Sequence, residues 1–420
     1  MNKNNPGNVN RFDPNTNFTR DSFKTLFTPV FYKDFECIGS DCENHCCHHW
    51  TITVDRDTFK KYKKHGDIKV RTIAEKKTKS CGQNGIDYRE IKLEKNGNCP
   101  MLDEQNLCYL HKNYGEDWLP QICNLYPREN KLIDGELYTS LSISCPEAAR
   151  KILLDPGSMT IEQEPVKAKT TLPKYASKLM IKNPELQRMF KQMAYNCILA
   201  ENSETVEGRL FNLGVLFRLA SQRLEKGERI EPLLVSFEQV IASGDLNQLL
   251  EKTEPVQRTQ EYVLQQLLLE NSLSVGNEFL SNYRVQAREL AQQSGVLDLS
   301  GYYAKYCQAG YEKLVDTHGH AFLNLMLHWV YSKAFDLENS SVLFEQFAVF
   351  ALKFFYIRTL CGMLNKADNS KEDSAALLVG VTHCISRNAD HDRNFSKLVH
   401  AGLSQQGMVK PEHILGLIKV

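Results

Sequence analysis

The sequence lacks several features that mark whole classes of protein. The residues up to Arg20 are polar and contain no apolar segment of the kind that a secretion signal needs, so we expect a cytoplasmic protein. Neither sign of charge is in excess, because 51 lysines and arginines balance 51 aspartates and glutamates. The net charge therefore gives no reason to expect binding to nucleic acid or to an anionic membrane.

Long unbroken apolar runs are also missing. The most apolar stretch, from Val342 to Leu360, is interrupted by the polar side chains of Glu345, Gln346, Lys353 and Arg358. A helix that spans a bilayer would have to bury these groups at high cost. We therefore predict no transmembrane segment and no membrane partner.

Cysteine, in contrast, is abundant and unevenly distributed. Nine of the 13 cysteines lie in the first 150 residues, and eight of these form a band, namely Cys37, Cys42, Cys46, Cys47, Cys99, Cys108, Cys123 and Cys145. In a reducing compartment, such a density of thiols indicates metal ligands rather than disulfides. We predict that these eight cysteines bind a metal centre.

The spacing within the band bears on the kind of metal. If the segment after Cys42 is helical, Cys42 and Cys46 lie one turn apart on one face, and Gly39 permits a tight turn before it. The adjacent pair Cys46 and Cys47 does not easily present both sulfur atoms to one tetrahedral zinc ion. A larger cluster, or two separate centres, fits the pair better.

The number of thiols leaves alternatives open. Four thiolates suffice for one [4Fe-4S] cluster or for one structural zinc ion, so with eight either some are spectators or more than one metal binds. Zinc remains an alternative, since a site of mixed ligands could be completed by His45, His48, His49 or His111. We assign no histidine as a ligand.

Composition and periodicity predict a mainly α protein: a small, irregular α+β, Cys-rich metal-binding N-terminal domain followed by a multi-helix C-terminal body. We expect a flexible segment over residues 1–28, the Cys-rich domain over 29–155, a linker over 156–174 and the helical domain over 175–420. The linker is indicated by prolines without apolar periodicity. The isolated Cys197, Cys307, Cys361 and Cys384 are expected to be small buried hydrophobic residues.

Helical spacing is clearest in the second half of the chain. Apolar residues recur at steps of three and four over 210–224, 262–269 and 322–331. Glycines and a polar run over 365–373 are expected to separate the helices, with breaks at Gly244, Gly276, Gly301 and Gly310.

In the Cys-rich half, the β-branched run from Trp50 to Val54 predicts a strand, and Asp55 predicts the cap of a helix from Arg56 to about Lys64. This helix opens a basic stretch, since residues 56–79 contain ten lysines and arginines against three acidic residues. We interpret the stretch as a solvated helix surface, although it could also face an acidic partner. It has no interleaved aromatic residues that would support stacking of nucleic-acid bases.

The cysteines and their neighbours together resemble the flagellin lysine N-methylase family of bacteria. The matching residues are Phe35, Cys37, Cys42, Cys46, Cys47, Trp50, Ile52 and Asp55, then Cys99, Pro100, Leu102, Asp103 and Cys108, then Cys123, Pro127 and Arg128, then Leu141, Ser142, Ser144, Cys145, Pro146 and Glu147. The first part also resembles zinc- or iron-chelating domains with a Cys-Cys pair. Cys81 lies outside this pattern and is expected to be a spectator.

The resemblance implies methyl transfer from S-adenosylmethionine to lysine nitrogens of flagellin, in an enzyme with an iron–sulfur cluster. Two common signatures are missing, however. No Gly-x-Gly follows an early strand, as in doubly wound methyltransferases, and Gly214 stands within a helical pattern. The Cys-x3-Cys-x2-Cys motif typical of radical enzymes is also absent, since Cys47 directly follows Cys46. A non-catalytic iron or zinc module and a redox sensor remain alternatives.

Catalytic residues are not identified by these patterns. Arg128 is the one cofactor-binding candidate, since its guanidinium suits the carboxylate of S-adenosylmethionine. We interpret Asp55 as a helix cap, Asp103 as a turn residue and Glu147 as a charge at a helix N-terminus. A polar group of His383, Ser386 and Arg387 is expected between helices, facing a cleft.

Overall fold

A computed structural model describes residues 19–48, 51–82, 87–173, 175–254, 257–269, 278–293, 307–391 and 410–419. The chain divides into two compact units, the first made of residues 1–148 and 160–181 and the second of residues 149–159 and 182–420. The first unit mixes short helices with two sheets and the second is helical, which confirms the predicted mainly α class.

The larger sheet of the first unit has five strands, β1 (Thr25–Pro29), β5 (Arg128–Ile133), β6 (Glu136–Leu141), β7 (Ile161–Pro165) and β8 (Ser177–Lys178), in the order β7-β1-β6-β5-β8. Strand β1 runs parallel to β6 and antiparallel to β7. Strands β5 and β6 form a hairpin around Asp134 and Gly135, which both have positive φ, as a tight two-residue turn requires.

This sheet changes the predicted segment boundaries. The expected linker over 156–174 contributes strand β7, because Ile161 to Pro165 pair along the whole of β1 and Lys33 forms an ion pair with Glu162. The described part of the expected flexible segment 1–28 holds Phe23, which is 2% exposed, and most of β1. The remainder, residues 1–18, lies outside the described residues.

The smaller sheet consists of β2 (Thr53–Val54), β3 (Thr78–Ser80) and β4 (Arg89–Ile91), in the antiparallel order β2-β4-β3. The strand predicted from Trp50 is confirmed at Thr53 and Val54, while Trp50 lies outside the described residues. The helices of this half are α1 (Val30–Lys33), α2 (Arg56–Lys63), α3 (Ile68–Lys76), α4 (Tyr109–Tyr114), α5 (Gln121–Leu125) and α6 (Pro146–Leu154). Short 3-10 turns cover Arg20–Ser22, Gly39–Asp41 and Glu116–Trp118.

The second unit is built from helices α7 (Pro184–Leu199), α8 (Val206–Glu225), α9 (Glu231–Ser243), α10 (Asp245–Lys252), α11 (Gln257–Leu269), α12 (Glu278–Gln293), α13 (Gln308–Ser332), α14 (Ser340–Leu364), α15 (Lys371–His391) and α16 (Pro411–Gly416). The three periodic stretches lie in α8, α11 and α13, as predicted. All four isolated cysteines are fully buried, which confirms that they are core residues.

Helix α14 is the central helix of this unit and packs against α8, α12, α13 and α15. It is the one helix of the described residues that is long and apolar enough to cross a membrane, with a mean hydropathy of 1.6, but 89% of that window is buried inside the protein. Two of its charged side chains have partners inside the protein. Lys353 pairs with Asp390 at 2.9 Å, and the fully buried Arg358 donates to the carbonyls of Leu417 and Ile418.

The predicted helix breaks have different outcomes. Gly244 ends α9 with a φ of +76°, and the polar run over 365–373 spans the break between α14 and α15, as predicted. The prediction of a helix break at Gly310 is wrong, because this residue lies inside α13. Here the missing side chain allows the close approach of Gly362 in α14. Gly276 and Gly301 lie outside the described residues.

The contact between α13 and α14 yields a stability prediction. A Cβ atom at Gly310 would lie 2.1 Å from the carbonyl oxygen of Gly362, so we expect Gly310→Ala to destabilise the second unit by roughly 1–3 kcal/mol. At Gly319 in the same helix the nearest atom is 3.6 Å away, so Gly319→Ala should be neutral or stabilise by about 0.5–1 kcal/mol. Urea unfolding of both variants tests this, and equal midpoints would contradict the packing argument.

Candidate metal centre

The structure gathers four of the predicted ligands on one hydrophobic core. Cys99 is part of this core, and Cys47, Cys108 and Cys123 pack against it together with the side chains of the small sheet and of α2 to α4. These cysteines come from four separate parts of the chain. Their proximity is therefore a result of tertiary folding and not of local spacing.

Backbone contacts fix the cysteine-bearing segments to each other. The Cys99 amide donates to the Cys47 carbonyl at 2.9 Å, and the neighbouring residues His48 and Asn98 form a β-bridge. The His48 ring is also hydrogen-bonded to the Asn98 side chain at 2.5 Å. Segment 46–48 is thus held beside segment 98–99 by backbone and side-chain hydrogen bonds.

The turn between Cys99 and Cys108 is organised by Asp103. One carboxylate oxygen accepts from the amides of Gln105 and Leu107, both at 2.9 Å, and the other accepts from Lys112 at 2.8 Å. The Lys112 ammonium and these amides lower the pKa of Asp103 to about 2. The interpretation of Asp103 as a turn residue is confirmed.

Asp55 links helix α2 to the segment that carries Cys123. Its Oδ1 accepts from the Thr58 amide at 2.8 Å, so it caps the helix as predicted. Its Oδ2 accepts at 3.3 Å from the amide of Gln121, the first residue of α5. Cys123 follows two residues later, so this carboxylate positions the start of a cysteine-bearing helix.

The helical arrangement considered for Cys42 and Cys46 does not occur in the structure. The chain makes a 3-10 turn over Gly39–Asp41, Cys42 is extended with φ of −71° and ψ of 118°, and turns follow to Cys47. Glycine, serine, aspartate and asparagine in this segment favour turns over helix. Gly39 has a φ of +58°, which confirms the predicted tight turn.

Electrostatics divide the eight thiols into two overlapping groups. Neighbouring thiolate charges raise the pKa values of Cys47, Cys99, Cys108 and Cys123, and Cys46 acts on all four. The second group is Cys37, Cys42 and Cys145, where Cys46 again raises the pKa values of Cys42 and Cys145. Cys46 is therefore common to both groups.

Burial is the main reason why most of these thiols resist ionisation. Desolvation, assisted by other thiolates, raises the pKa of Cys99 to about 12 and that of Cys42 to about 11. For Cys47 the largest cause is its hydrogen bond with the Cys46 side chain, followed by desolvation. The carboxylates of Glu43, Glu94 and Asp103 push pKa values in the same direction. A site with this many potential negative charges favours a bound cation.

The donor set therefore has the chemistry of a thiolate metal centre. All 13 cysteines are free thiols. Among the described residues, no three Cys, His, Asp or Glu side chains are already arranged at the geometry of a bound ion. The residues fit a metal centre by donor type, by their packing on one core and by local charge.

Other candidates occupy structural positions. His111 is exposed near the end of α4, and His49 lies outside the described residues. Cys81 is exposed and donates to the Asp87 carbonyl. Glu147 stands in the first turn of α6, as predicted.

Arg128 lies at the start of β5 and is exposed. Its guanidinium carbon is 5.2 Å from the centre of the Phe35 ring, which is two residues before Cys37. Its charge also acts on the Tyr32 hydroxyl, whose pKa is raised by burial and lowered by Arg128. The side chain is thus a cation beside the first cysteine-bearing segment.

The polar group of His383, Ser386 and Arg387 is not between helices, because all three lie within α15. His383 and Ser386 are 2% and 0% exposed, so they do not face an open cleft. Burial, followed by the charges of Arg387 and Arg150, lowers the pKa of His383 to about 3. His383 is therefore a neutral core histidine at physiological pH.

The sequence patterns did not reveal a polar and aromatic cluster beside the cysteines. Tyr109 and Tyr114 both donate to one oxygen of Asp67, at 2.6 and 2.8 Å, and the His65 ring lies against Tyr114 and Trp118. These two tyrosines lower the pKa of Asp67 to about 2. The available signal was Asp67 before an amphipathic run, which predicts a cap and not a contact 42 residues away.

Comparison with known proteins bears on both units. Residues 36–146 match a family described as a zinc- or iron-chelating domain, and residues 192–417 match the FliB lysine N-methylase C-terminal domain. The lysine-N-methylases of Salmonella typhimurium and Salmonella choleraesuis are each 30% identical over 330 residues, which cover 74% of this chain and 79% of theirs. The chain belongs to the FliB lysine N-methylase family.

A third relative matches one third of the chain. The flagellar biosynthetic protein FliU of Salmonella muenchen is 40% identical over 141 residues, which are 33% of this chain and 83% of that protein. No solved structure matches the chain. Membership of the FliB family confirms the resemblance seen in the cysteine pattern.

The raised thiol pKa values predict proton release when metal binds. Because the pKa values of Cys47, Cys99, Cys108 and Cys123 are raised, these thiols are protonated at about pH 7, and zinc bound to the metal-free protein by these four cysteines should release about four protons per ion. The number of protons released per zinc ion should be nearly the same at about pH 9. A free thiol, with a pKa of about 8.5, is largely ionised at that pH, whereas the buried thiols stay mostly protonated. Titration in weak buffer with a pH indicator measures it.

The matched variants are Cys99→Ser and Cys81→Ser. Loss of a ligand should lower the count by one for Cys99→Ser, whereas Cys81→Ser should leave it unchanged. A release of fewer than two protons per zinc would show that thiols are not the main ligands.

Proposed function

We propose that this protein transfers methyl groups from S-adenosylmethionine to lysine side-chain nitrogens of flagellin, and that it requires an iron–sulfur cluster of the [4Fe-4S] type. The observation that carries the proposal is the 30% identity to lysine-N-methylases over 74% of the chain. We further propose that the enzyme acts in the cytoplasm, where flagellin is available before export.

The proposed ligands are the eight cysteines of the band, with Cys46, Cys47, Cys99, Cys108 and Cys123 as the central group. The adjacent pair Cys46 and Cys47 favours a cluster over a single tetrahedral zinc ion. A bound cluster supplies positive charge that stabilises the buried thiolates and joins segments that are distant in sequence. Zinc in the same site is the alternative that metal analysis would reveal.

The reaction sets requirements that the protein must meet. A lysine amine has a pKa of about 10.4, so its neutral form has to be selected by desolvation or by a base. The nitrogen must then lie in line with the sulfonium methyl group, and positioning of the two reactants supplies much of the rate enhancement. The ammonium proton leaves first, and the attack of the neutral amine then forms the nitrogen–methyl bond, breaks the sulfur–methyl bond and releases S-adenosylhomocysteine.

Two acidic residues near the cysteines are poor candidates for the base. The carboxylates of Asp55 and Asp103 already accept hydrogen bonds from backbone amides. Asp103 is also a weak base, because its pKa is about 2. Both are positioning residues for the segments that carry Cys108 and Cys123.

The decisive experiment measures methyl transfer and metal content together. Anaerobically purified wild type, incubated with S-adenosylmethionine and flagellin, should increase the mass of flagellin by whole methyl groups. Cys99→Ser removes a buried central thiol and should lose both metal and transfer. Cys197→Ser removes an equally buried cysteine of the second unit and should keep both.

Each other outcome favours a different function. A fully loaded wild type without transfer would indicate a non-catalytic iron or zinc module. A reversible change of cluster absorbance at a defined potential, again without transfer, would indicate a redox sensor. Transfer by metal-free protein at the wild-type rate would contradict dependence on the cluster.

Arg128 is proposed to bind the carboxylate of S-adenosylmethionine. Arg128→Gln removes the positive charge and the forked guanidinium group, so it should raise KM for S-adenosylmethionine about tenfold with little change in kcat. Arg128→Lys keeps the charge and should have a smaller effect. Arg56→Gln is the matched control, since Arg56 is also an exposed arginine over a ring, 6.0 Å from Tyr88. An unchanged KM in Arg128→Gln would show that Arg128 only packs on Phe35.

A further inference from the structure

The basic stretch over residues 56–79 forms an exposed surface in the structure. It contains ten lysines and arginines and three acidic residues, and it covers helices α2 and α3. The apolar sides of the two helices are used in the core, through Tyr62, Val70 and Ile73. The lysines consequently point away from the core and concentrate positive charge on one side of the unit.

Some of this charge is neutralised by carboxylates of the same unit. Lys60 pairs with Asp57 at 3.7 Å, Lys77 with Glu94 at 2.8 Å and Lys79 with Glu90 at 2.9 Å. The Asp67 carboxylate, in contrast, accepts from two tyrosine hydroxyls and from the amide of Lys69. It serves as a helix cap and as the acceptor for two phenols, and within the described part of the chain no lysine or arginine forms an ion pair with it.

Two lysines of this surface are held in fixed positions by aromatic rings. The Lys61 ammonium lies 4.1 Å from the centre of the Trp118 ring, and that of Lys69 lies 3.9 Å from the centre of the Tyr109 ring. The two rings are connected through Tyr114, with ring centres 5.9 and 6.2 Å apart. Both cations therefore lie over rings of one aromatic group.

Three further lysines carry charge that the unit itself does not use. Lys63, Lys64 and Lys76 are exposed, and within the described chain none of them lies within ion-pair distance of a carboxylate. Ile68, between them in sequence, is an apolar side chain that is 71% exposed. We call Lys61, Lys63, Lys64, Ile68, Lys69 and Lys76 the basic face.

The composition of the basic face selects among partners. Single-stranded nucleic acid needs free aromatic faces for stacking, but here the exposed ring faces of Trp118 and Tyr109 carry lysines. A lipid surface needs an apolar helix face for insertion, and the apolar faces of α2 and α3 are buried. Exposed lysines on two contacting helices, with one exposed isoleucine at the start of the second helix, fit an acidic protein segment with an apolar side chain.

We propose that the basic face docks an acidic segment of the protein substrate, with Ile68 in contact with an apolar side chain of that segment. The inference rests on the proposed function, since the partner is the protein whose lysines are methylated. Docking gives the substrate an attachment that is independent of the reacting lysine. It also explains why positive charge is concentrated on a chain with no net charge.

The test reverses the unpaired charges. The triple variant Lys63→Glu, Lys64→Glu and Lys76→Glu should raise KM for flagellin about tenfold and leave kcat nearly unchanged, because electrostatic docking acts on encounter and affinity. KM for a short lysine peptide without the acidic segment should not change. Ile68→Ser should raise KM for flagellin only, by a few fold.

The matched control reverses three exposed lysines at the larger sheet of the same unit, Lys24→Glu, Lys167→Glu and Lys169→Glu. It makes the same change in net charge and should behave as wild type in every assay. Metal content and circular dichroism of both triple variants should equal those of wild type, which excludes misfolding. If the first triple variant misfolds, Lys63→Gln with Lys64→Gln replaces it.

Direct titration with flagellin separates this inference from the proposed function. Suppose that wild type binds flagellin more tightly than the charge-reversed triple variant but transfers no methyl group. This result would overturn the proposed function and support the docking site. Equal flagellin affinity and KM in wild type and the reversed variant would overturn the docking site. RNA binding that is lost on reversal, with flagellin binding unchanged, would also overturn it and assign the face to nucleic acid.

Discussion

A thiolate is costly to bury, and the first unit buries several thiols beside one another. Cys99 and Cys123 lie among apolar side chains, and desolvation, followed by the charges of neighbouring thiolates, raises the pKa of each. The chain has brought these groups together with many backbone contacts, although their ionised forms repel one another. Such an arrangement is stable as a set of neutral thiols, or with a cation that compensates their charge. The stability of this unit therefore depends on whether the thiols stay protonated or, when ionised, have a cation that compensates their negative charge.

The acidic residues near the cysteines serve the same constraint. Asp55, Asp67 and Asp103 each accept a backbone amide at a helix start or turn, and each fixes a segment next to the thiols. Their charges are satisfied by donors, so they organise the loops without supplying a proton acceptor. The loops between the cysteines contain little regular secondary structure. These carboxylates therefore accept hydrogen bonds from backbone amides that a longer helix or strand would otherwise satisfy. The proton acceptor for a lysine amine must therefore be sought among other groups or in solvent.

Local patterns predicted the elements whose signals are local. The cap at Asp55, the turn at Asp103 and the periodic helix α8 were predicted because a few neighbouring residues determine them. The hairpin of β5 and β6 also has a local signal, because Asp134 and Gly135 stand between two β-type runs. The spacing of the cysteines in the sequence indicated a metal site, whereas the residues around each cysteine did not predict its local structure. The segment from Cys42 to Cys46 has the spacing of a helical turn but lacks residues that stabilise one.

Features that depend on distant contacts could not be predicted in this way. Strand β1 pairs with β6 over a separation of more than one hundred residues, and Gly310 is explained only by the backbone of Gly362 on another helix. The same holds for the cysteine groups, since the bridge between His48 and Asn98 brings two thiols together across fifty residues. The sequence alone does not distinguish a glycine that ends a helix from one at a helix contact, or a cysteine in the core from one that binds metal. Only the tertiary partner distinguishes these roles.

The charge distribution finally constrains how a protein lysine can reach this enzyme. A lysine ammonium is repelled by a surface with an excess of positive charge, and the exposed lysines of α2 and α3 form such a surface beside the cysteines. A substrate attracted only through its reacting lysine would therefore approach other parts of the molecule. A substrate that also presents carboxylates is attracted to this face while its lysine stays free of it. Separation of the attractive contact from the reacting group lets one enzyme select a protein by its acidic segment and still accept a cationic side chain at the site of methylation.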